Sequence, residues 1–376
     1  YTWFRRACSS LQRGRDAEEL KRTDALLPPD PVWDAEVARE VVERNQKTLK
    51  LWRKGLQCSV CIMPKPDTQW VAATPVGGTG ERVEKVAAIK AMLFHKRGKP
   101  EKAFDQCLRI LKYGRMLQRS RAPHIQYLLG GGIKTFGRRM CRWWLANVDM
   151  PPEQLTKYAE KLARYDEDPA ALKNVMRMNY QSFVQQVNIR IRTDFTEAEE
   201  APLRMRLFWC TVAYRFVLKP NQTKRLAARI TRHYIENVSR PYIEMTMTEP
   251  PPSRPITENL ELRNNIVGKE MYRIHVPPFS RWLRYDCGSR FRARALRLMF
   301  VLKAYHTAHG RLPERLNALV PDYLDAVPRD PFDGEQLRYS REKMIIYTVG
   351  KDGEDNGGTI GRERWRMPDP SYRIPL

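Results

Sequence analysis

Apolar residues recur along most of this chain at intervals of three and four, the spacing of one face of an α-helix. The first clear stripe is Val37, Val41, Val42, Leu49 and Trp52, with Asp34 placed to accept bonds from the free N–H groups at its start. That helix is expected to end by Gly55. Residues 56–80 hold Pro64, Pro66, Pro75, Gly77, Gly78 and Gly80, and read as a long irregular loop. From Glu81 to Arg119 the pattern predicts a helical hairpin. Val83, Val86, Ala87 and Phe94 lie on one arm and Ala103, Phe104, Cys107, Leu108 and Leu111 on the other. Gly98 supplies the stop, and Pro100 suits the first turn that follows.

This hairpin resembles a single tetratricopeptide unit. No second copy follows at a period near 34, and such solenoids stack about three repeats to bury a continuous core, so an irregular helical array is expected. Helical patterns continue over 123–147, 152–165, 169–190, 200–218 and 220–239, broken at Pro151-Pro152, Asp168-Pro169 and Lys219-Pro220. Gly130-Gly131-Gly132 lacks the order of a phosphate-binding loop and no strand precedes it; close helix packing or a kink accounts for it. Residues 240–285 lose periodicity and are rich in proline, as expected of a connector. A strong helix resumes near Ser289, with Leu296, Met299, Phe300, Leu302 and Tyr305. These patterns divide the chain into an extended N-terminal segment (1–35, ending in Leu27-Pro28-Pro29-Asp30-Pro31), a helical domain (36–239), a Pro-rich connector (240–288) and a C-terminal α+β module with a tail (289–376). The fold class is mainly α.

Residue order in the last part is specific. Gly310 ends the helix, and Pro313, Leu316, Leu319 and Val320 begin a short amphipathic turn that packs back on it. Asp330-Pro331 forces an extended residue before a turn, Asp333-Gly334 is a hairpin signal, and Met344 to Val349 is a β-rich run bounded by Gly350. Together with Tyr305, Phe332, Asp352, Gly353, Gly357 and Gly358, these residues resemble the soluble half of the major pseudopilin of bacterial type II secretion systems. The resemblance implies a helix covering a small antiparallel sheet. It also implies a calcium-holding end loop in which Asp352 takes the first aspartate position and Asp355 is a nearby second carboxylate. Thr359-Ile360-Gly361-Arg362 replaces that family's further acidic ligand. A second departure is the leading helix, which follows a long helical region and carries Arg290, Arg292, Arg294 and Arg297, so filament assembly in the usual pilin manner is not expected. The arrangement resembles bacterial envelope proteins in which a helical region, often behind one N-terminal anchor, ends in such a module.

Charge adds a constraint on partners. Lys and Arg number 67 against 43 Asp and Glu, a formal charge of +24, so anionic partners are expected: phosphate backbones, lipid headgroups or acidic proteins. Arg138, Arg139 and Arg142 with Trp143 and Trp144 form one basic and aromatic cluster, and Arg290, Arg292 and Arg294 form another, both candidates for an anionic partner. Adjacent tryptophans cannot share one helix face, so at least one of the pair is a core candidate. Tyr1-Thr2-Trp3-Phe4 before Arg5-Arg6 has the aromatic and basic character of a membrane border, as a truncated anchor would leave. No apolar run in the chain reaches the roughly 18 residues that span a bilayer. Cys58 and Cys61 are the only close cysteine pair, without the ligands of a zinc site, and read as a local disulfide or two free thiols. His306 and His309 read as cations at a helix C-terminus. No catalytic constellation is evident. The expected role is that of a non-enzymatic scaffold in the bacterial envelope, with its body in the periplasm, acting through other protein subunits. Binding to nucleic acid or anionic lipid is the alternative, and no cofactor beyond calcium is implied.

Overall fold

The computed structural model describes residues 1–12, 17–62, 75–120, 124–165, 168–199, 218–247, 265, 267–268, 271–272, 279–359 and 370–376. Over these residues the chain is mainly helical, with one small antiparallel sheet. Its helices are α1 (Thr2–Ser9), α2 (Ala17–Ala25), α3 (Ala35–Arg44), α4 (Gln46–Gln57), α5 (Pro75–Lys96), α6 (Pro100–Gln118), α7 (His124–Ala146), α8 (Pro152–Ala163), α9 (Pro169–Glu199), α10 (Pro220–Asn237), α11 (Tyr242–Met247) and α12 (Phe279–His309). A 3-10 turn at Leu316–Leu319 precedes β1 (Arg338–Ser340), β2 (Ile345–Tyr347) and β3 (Ser371–Arg373).

Several local expectations match and several change. Asp34 caps α3, its Oδ1 accepting from the backbone N–H of Glu36 and Val37, each at 3.0 Å. The stripe that follows is two helices, not one. Asn45 breaks it by turning its side chain to Gln12, where Oδ1 accepts from N–H at 2.8 Å and Nδ2 donates to the carbonyl at 3.0 Å. The first 35 residues are not extended: they carry α1 and α2, and Phe4, Ala7 and Cys8 make a buried stripe. Two turns are too short for that period to stand out beside the prolines at 28–31. The expected loop at 56–80 is shorter, because Pro75 to Gly80 begin α5; residues 63–74 lie outside the described set. The α5–α6 hairpin forms with Gly98 at φ +66° between its arms. The helix expected at 200–218 falls almost wholly outside the described residues, as does much of the connector. Where the connector is described it contains α11 and the first turns of α12, so helix replaces the expected irregular chain.

The chain forms two compact units that differ from the division expected from sequence: Tyr1–Asp168 with Asp286–Leu376, and Pro169–Tyr285. In the second, α9 packs on α10. Buried Asn265 secures the start of α10, accepting from Lys219 N–H at 2.7 Å and donating to Thr223 Oγ1 at 2.6 Å. Phe279 stacks edge-on against Trp282 and packs beside Tyr234.

In the first unit α5, α6 and α7 pack side by side, α1 lies on α4 and α5, and α12 runs through the core. From Ala295 to Ala304 every residue of α12 except Arg297 is buried. Such all-round burial requires a helix apolar on every face, which Leu296, Leu298, Met299, Phe300, Val301 and Leu302 supply. Phe300 joins a cluster with Phe104 at 5.4 Å and Trp144 at 6.0 Å between ring centroids. The same continuous core takes in Leu316, Leu319, Leu337, Ile346 and Tyr372 of the C-terminal module.

The crossing of α6 and α7 depends on two glycines. A Cβ on Gly114 would lie 2.5 Å from the Gly130 carbonyl oxygen, and one on Gly130 would lie 2.5 Å from the Gly114 carbonyl oxygen. Close packing thus accounts for the first glycine of the triplet, as expected, and Gly114 is its partner. Alanine at either site should force the helices apart and lower stability by about 1–3 kcal/mol, the usual range for overpacking. Alanine at Gly132, whose Cβ would meet nothing within 4 Å, should raise stability by up to about 1 kcal/mol through helix propensity. Chemical denaturation of the three variants checks both directions.

Candidate functional site

Each of the two basic clusters has a buried arginine, Arg138 in one and Arg290 in the other. Arg138 is 2% exposed and donates to Ser289 Oγ at 3.0 Å, joining α7 to α12. Arg142 sits with its guanidinium carbon 4.3 Å from the Tyr372 ring centroid, and Trp143 is half-buried, edge-on to His95 at 5.1 Å. Trp144 is the core member of the pair: 1% exposed, with its indole N–H donating to the Pro100 carbonyl at 2.9 Å. Of the α7 candidates only Arg139 is exposed, lying over the Phe136 ring. On α12, Arg290 is 8% exposed and pairs with Asp286 at 2.5 Å, and that carboxylate also accepts from Tyr127 Oη at 2.7 Å. Arg294 donates to the Arg329 carbonyl, and Arg292 is half-buried. Arg138, Arg142, Arg290 and Arg294 thus each engage a group of the protein itself, and Arg139 is the exposed member of the two clusters. The sequence pattern missed this because Asp286 and Ser289, which receive two of them, carry no periodic signal. Beside them, burial and then the Asp286 charge push the Cys287 thiol up to about 12, so it stays protonated near neutral pH. Cys58 and Cys61 are both free thiols, not a disulfide.

The C-terminal sheet is antiparallel in the order β1-β2-β3, with Tyr339 opposite Ile346 and Ile346 opposite Tyr372. Its organising group is Asp330, which sequence marked as the residue before a proline and as one of the turn residues that carry the resemblance. The Asp330 side chain is fully buried. Oδ1 accepts from Phe332 N–H at 2.9 Å and Thr348 Oγ1 at 2.7 Å, while Oδ2 accepts from Val349 N–H at 3.2 Å and Arg338 Nη1 at 3.3 Å. The available signal was the tendency of Asp to bond the backbone two residues on, here to Phe332. Burial raises the Asp330 carboxyl above its ordinary value, while the Phe332, Thr348 and Val349 bonds pull it down.

Arg338 is the cation among three carboxylates. Besides Asp330 it binds Asp333 Oδ2 at 2.6 Å, and its Nε lies 3.6 Å from Asp355 Oδ2. Asp355 also caps the following turn, accepting from Gly357 N–H at 3.0 Å. Gly353, Gly357 and Gly358 all take positive φ, and a Cβ at Gly358 would lie 2.6 Å from Ile345 Cδ1, so the loop lies tightly over β2. Asp352 is exposed. Calcium takes six to eight oxygens. Among the described residues no group of three or more His, Cys, Asp or Glu is gathered for a metal, and Asp355 already faces a guanidinium. The described residues do not fit a calcium site; here a side-chain cation stands among the carboxylates. His309 Nδ1 donates its N–H to the Tyr305 carbonyl at 3.0 Å, and the ring stacks on that of Tyr305. His306 shares the last turn of the same helix.

Two outcomes follow from this geometry. Asp330→Ala would strand the Phe332, Thr348 and Val349 donors, while Arg338 keeps Asp333, and is expected to lower stability by about 2–4 kcal/mol, more than Asp330→Asn. Thermal unfolding with calcium or with chelator should give the same Tm for the unaltered protein. For His95, burial and then Lys96 hold the imidazole below its ordinary 6.5. Between the folded value and 6.5 the unfolded chain binds more protons, so stability from this group rises with pH through that window and is lost below it. His95→Gln should therefore show a smaller fall in Tm between pH 7 and pH 5 than the unaltered chain.

Comparison of the chain with protein-family models, with curated proteins and with solved structures returned no match.

Proposed function

We propose that this protein is a non-enzymatic structural or scaffold subunit of a bacterial envelope-associated assembly that works through protein-protein contacts. The observation that carries the reading is the shared core. The C-terminal module and the helices before it bury their apolar residues together around α12, so the turn-rich module is held rigidly on a helical support. The order of turn residues from Tyr305 to Gly358 favours a pseudopilin-like module, and α5 with α6 has the outline of a tetratricopeptide hairpin. A helix covered as fully as α12 has no free apolar face for packing into a filament, which favours a fixed subunit over a polymerising one. The buried ionisable groups favour a non-catalytic role, since Asp330, Arg138, Lys134 and Lys303 are bonded into the interior. Lys303, for example, donates to the Leu145 carbonyl at 2.8 Å. Residence at the envelope, with the body in the periplasm, rests on the resemblance of the module.

Chemical crosslinking of the native protein in its own cells, followed by peptide mass spectrometry, tests this. Partner proteins crosslinked through exposed lysines such as Lys351 and Lys157 are expected in fixed proportion to the chain. A monodisperse protein that captures no partner would remove the reading.

A further inference from the structure

One group of solvent-facing cations in the first unit lies on and around α4, away from both clusters named from sequence. Lys47, Lys50, Arg53 and Lys54 are all exposed on α4, and its twelve residues contain no carboxylate. The opposite face is apolar and buried through Leu49, Trp52 and Leu56. α5, which packs on α4, brings Lys90, Lys96 and the following Arg97 and Lys99, and no carboxylate occurs between Glu84 and Glu101. Burial first, and then the charges of Arg53 and Arg109, hold the Lys90 ammonium below its ordinary range. Cations from α4, α5 and α6 thus lie within each other's field. Among the described residues, none of Lys47, Lys50, Arg53, Lys54, Lys90 and Arg109 makes an ion pair.

Two further features adjoin this face. On α1, packed against α4, the Trp3 ring is approached by the Arg6 guanidinium carbon at 5.4 Å and the Lys54 ammonium at 5.1 Å from its centroid. Beyond the end of α4, Val60 and Ile62 are 63% and 57% exposed on either side of buried Cys61. Cys61 lies in the electrostatic neighbourhood of Tyr1 and so keeps these two aliphatic side chains near the start of α1. An uncompensated cationic face attracts anions. An amphipathic tryptophan and solvent-facing aliphatics beside it suit the boundary between headgroup and acyl chain. Single-stranded nucleic acid is favoured less, because it stacks its bases on free aromatic rings, and Trp3 is already engaged by two cations.

We propose that the α1–α4 face binds an anionic lipid surface, with Lys47, Lys50, Arg53 and Lys54 at the phosphates and Val60 and Ile62 in the outer acyl region. This surface is separate from the assembly role above, and either can fail without the other.

Vesicle co-sedimentation of the full chain tests it. Binding is expected to vesicles of phosphatidylcholine mixed with phosphatidylglycerol and not to phosphatidylcholine alone, and it should weaken as salt shortens the electrostatic range. The variant Lys50→Glu/Arg53→Glu/Lys54→Glu should lose at least about tenfold in affinity while keeping its helical signal and Tm. Reversing the same number of exposed charges elsewhere, Lys157→Glu/Arg341→Glu/Lys351→Glu, should leave most of the binding. Val60→Ser/Ile62→Ser should remove the part that survives added salt. Absence of vesicle binding at low salt, unchanged binding by the α4 variant, or equal losses in the two charge-reversed variants would each overturn the proposal. So would tighter binding of a single-stranded oligonucleotide at the same ionic strength, lost in the α4 variant.

Discussion

Burial of α12 on all sides is the constraint around which the first unit is arranged. A helix apolar all round finds no stable position at a surface, so other elements must enclose it. Phe104 and Trp144, from α6 and α7, meet Phe300 on it, and Ile346 and Tyr372 of the sheet belong to the same core. Segments far apart in sequence are joined because each supplies part of that enclosure. The first 168 residues and the last 91 consequently form one unit, while the stretch between them forms another.

The same enclosure explains the location of much of the charge. Arg138 and Lys303 lie where α12 meets α7, Arg290 pairs one turn away with Asp286, which also accepts from Tyr127 of α7, and each is bonded to a protein oxygen. Removing a charge from water is unfavourable by several kcal/mol unless its partners are well placed, so these bonds admit one register of α7 against α12 and penalise others. Asp330 does the same for the sheet, fixing the loop at 330–334 to the end of β2 by bonds to Phe332, Thr348 and Val349. Arg338 of β1 stands between Asp330, Asp333 and Asp355, so the sheet presents a cation to the end loop. That gives a physical reason for a loop of this kind to hold its shape through a guanidinium instead of a metal.

The proposed roles use different parts of the molecule. The assembly role rests on the rigidity of the module on its support, and the lipid role on an exposed face of α4 whose cations have no carboxylate among them. Both fit a protein whose net charge is large and positive, and the interior bonding of Arg138 and Arg290 decides which cations remain to meet a partner.

What the sequence determined by itself was local: helical periodicity, the Gly98-Pro100 turn, the Asp34 cap, the β-rich run at Met344 to Val349 within which β2 forms, and the glycines whose positive φ shapes the last loop. These depend on neighbours a few residues away, so spacing and residue type suffice. Short α1 was hidden because two turns give little periodicity, and the Asn45 break because it depends on Gln12. Only tertiary structure decided which arginines are inside, since exposure of a long basic side chain depends on whether an Asp286, a Ser289 or a carbonyl lies within reach. It also decided that Gly130 answers to Gly114, and that the C-terminal module shares its core with helices at the other end of the chain. Those are facts of long-range approach, and neither hydrophobic period nor composition carries the distance between two segments.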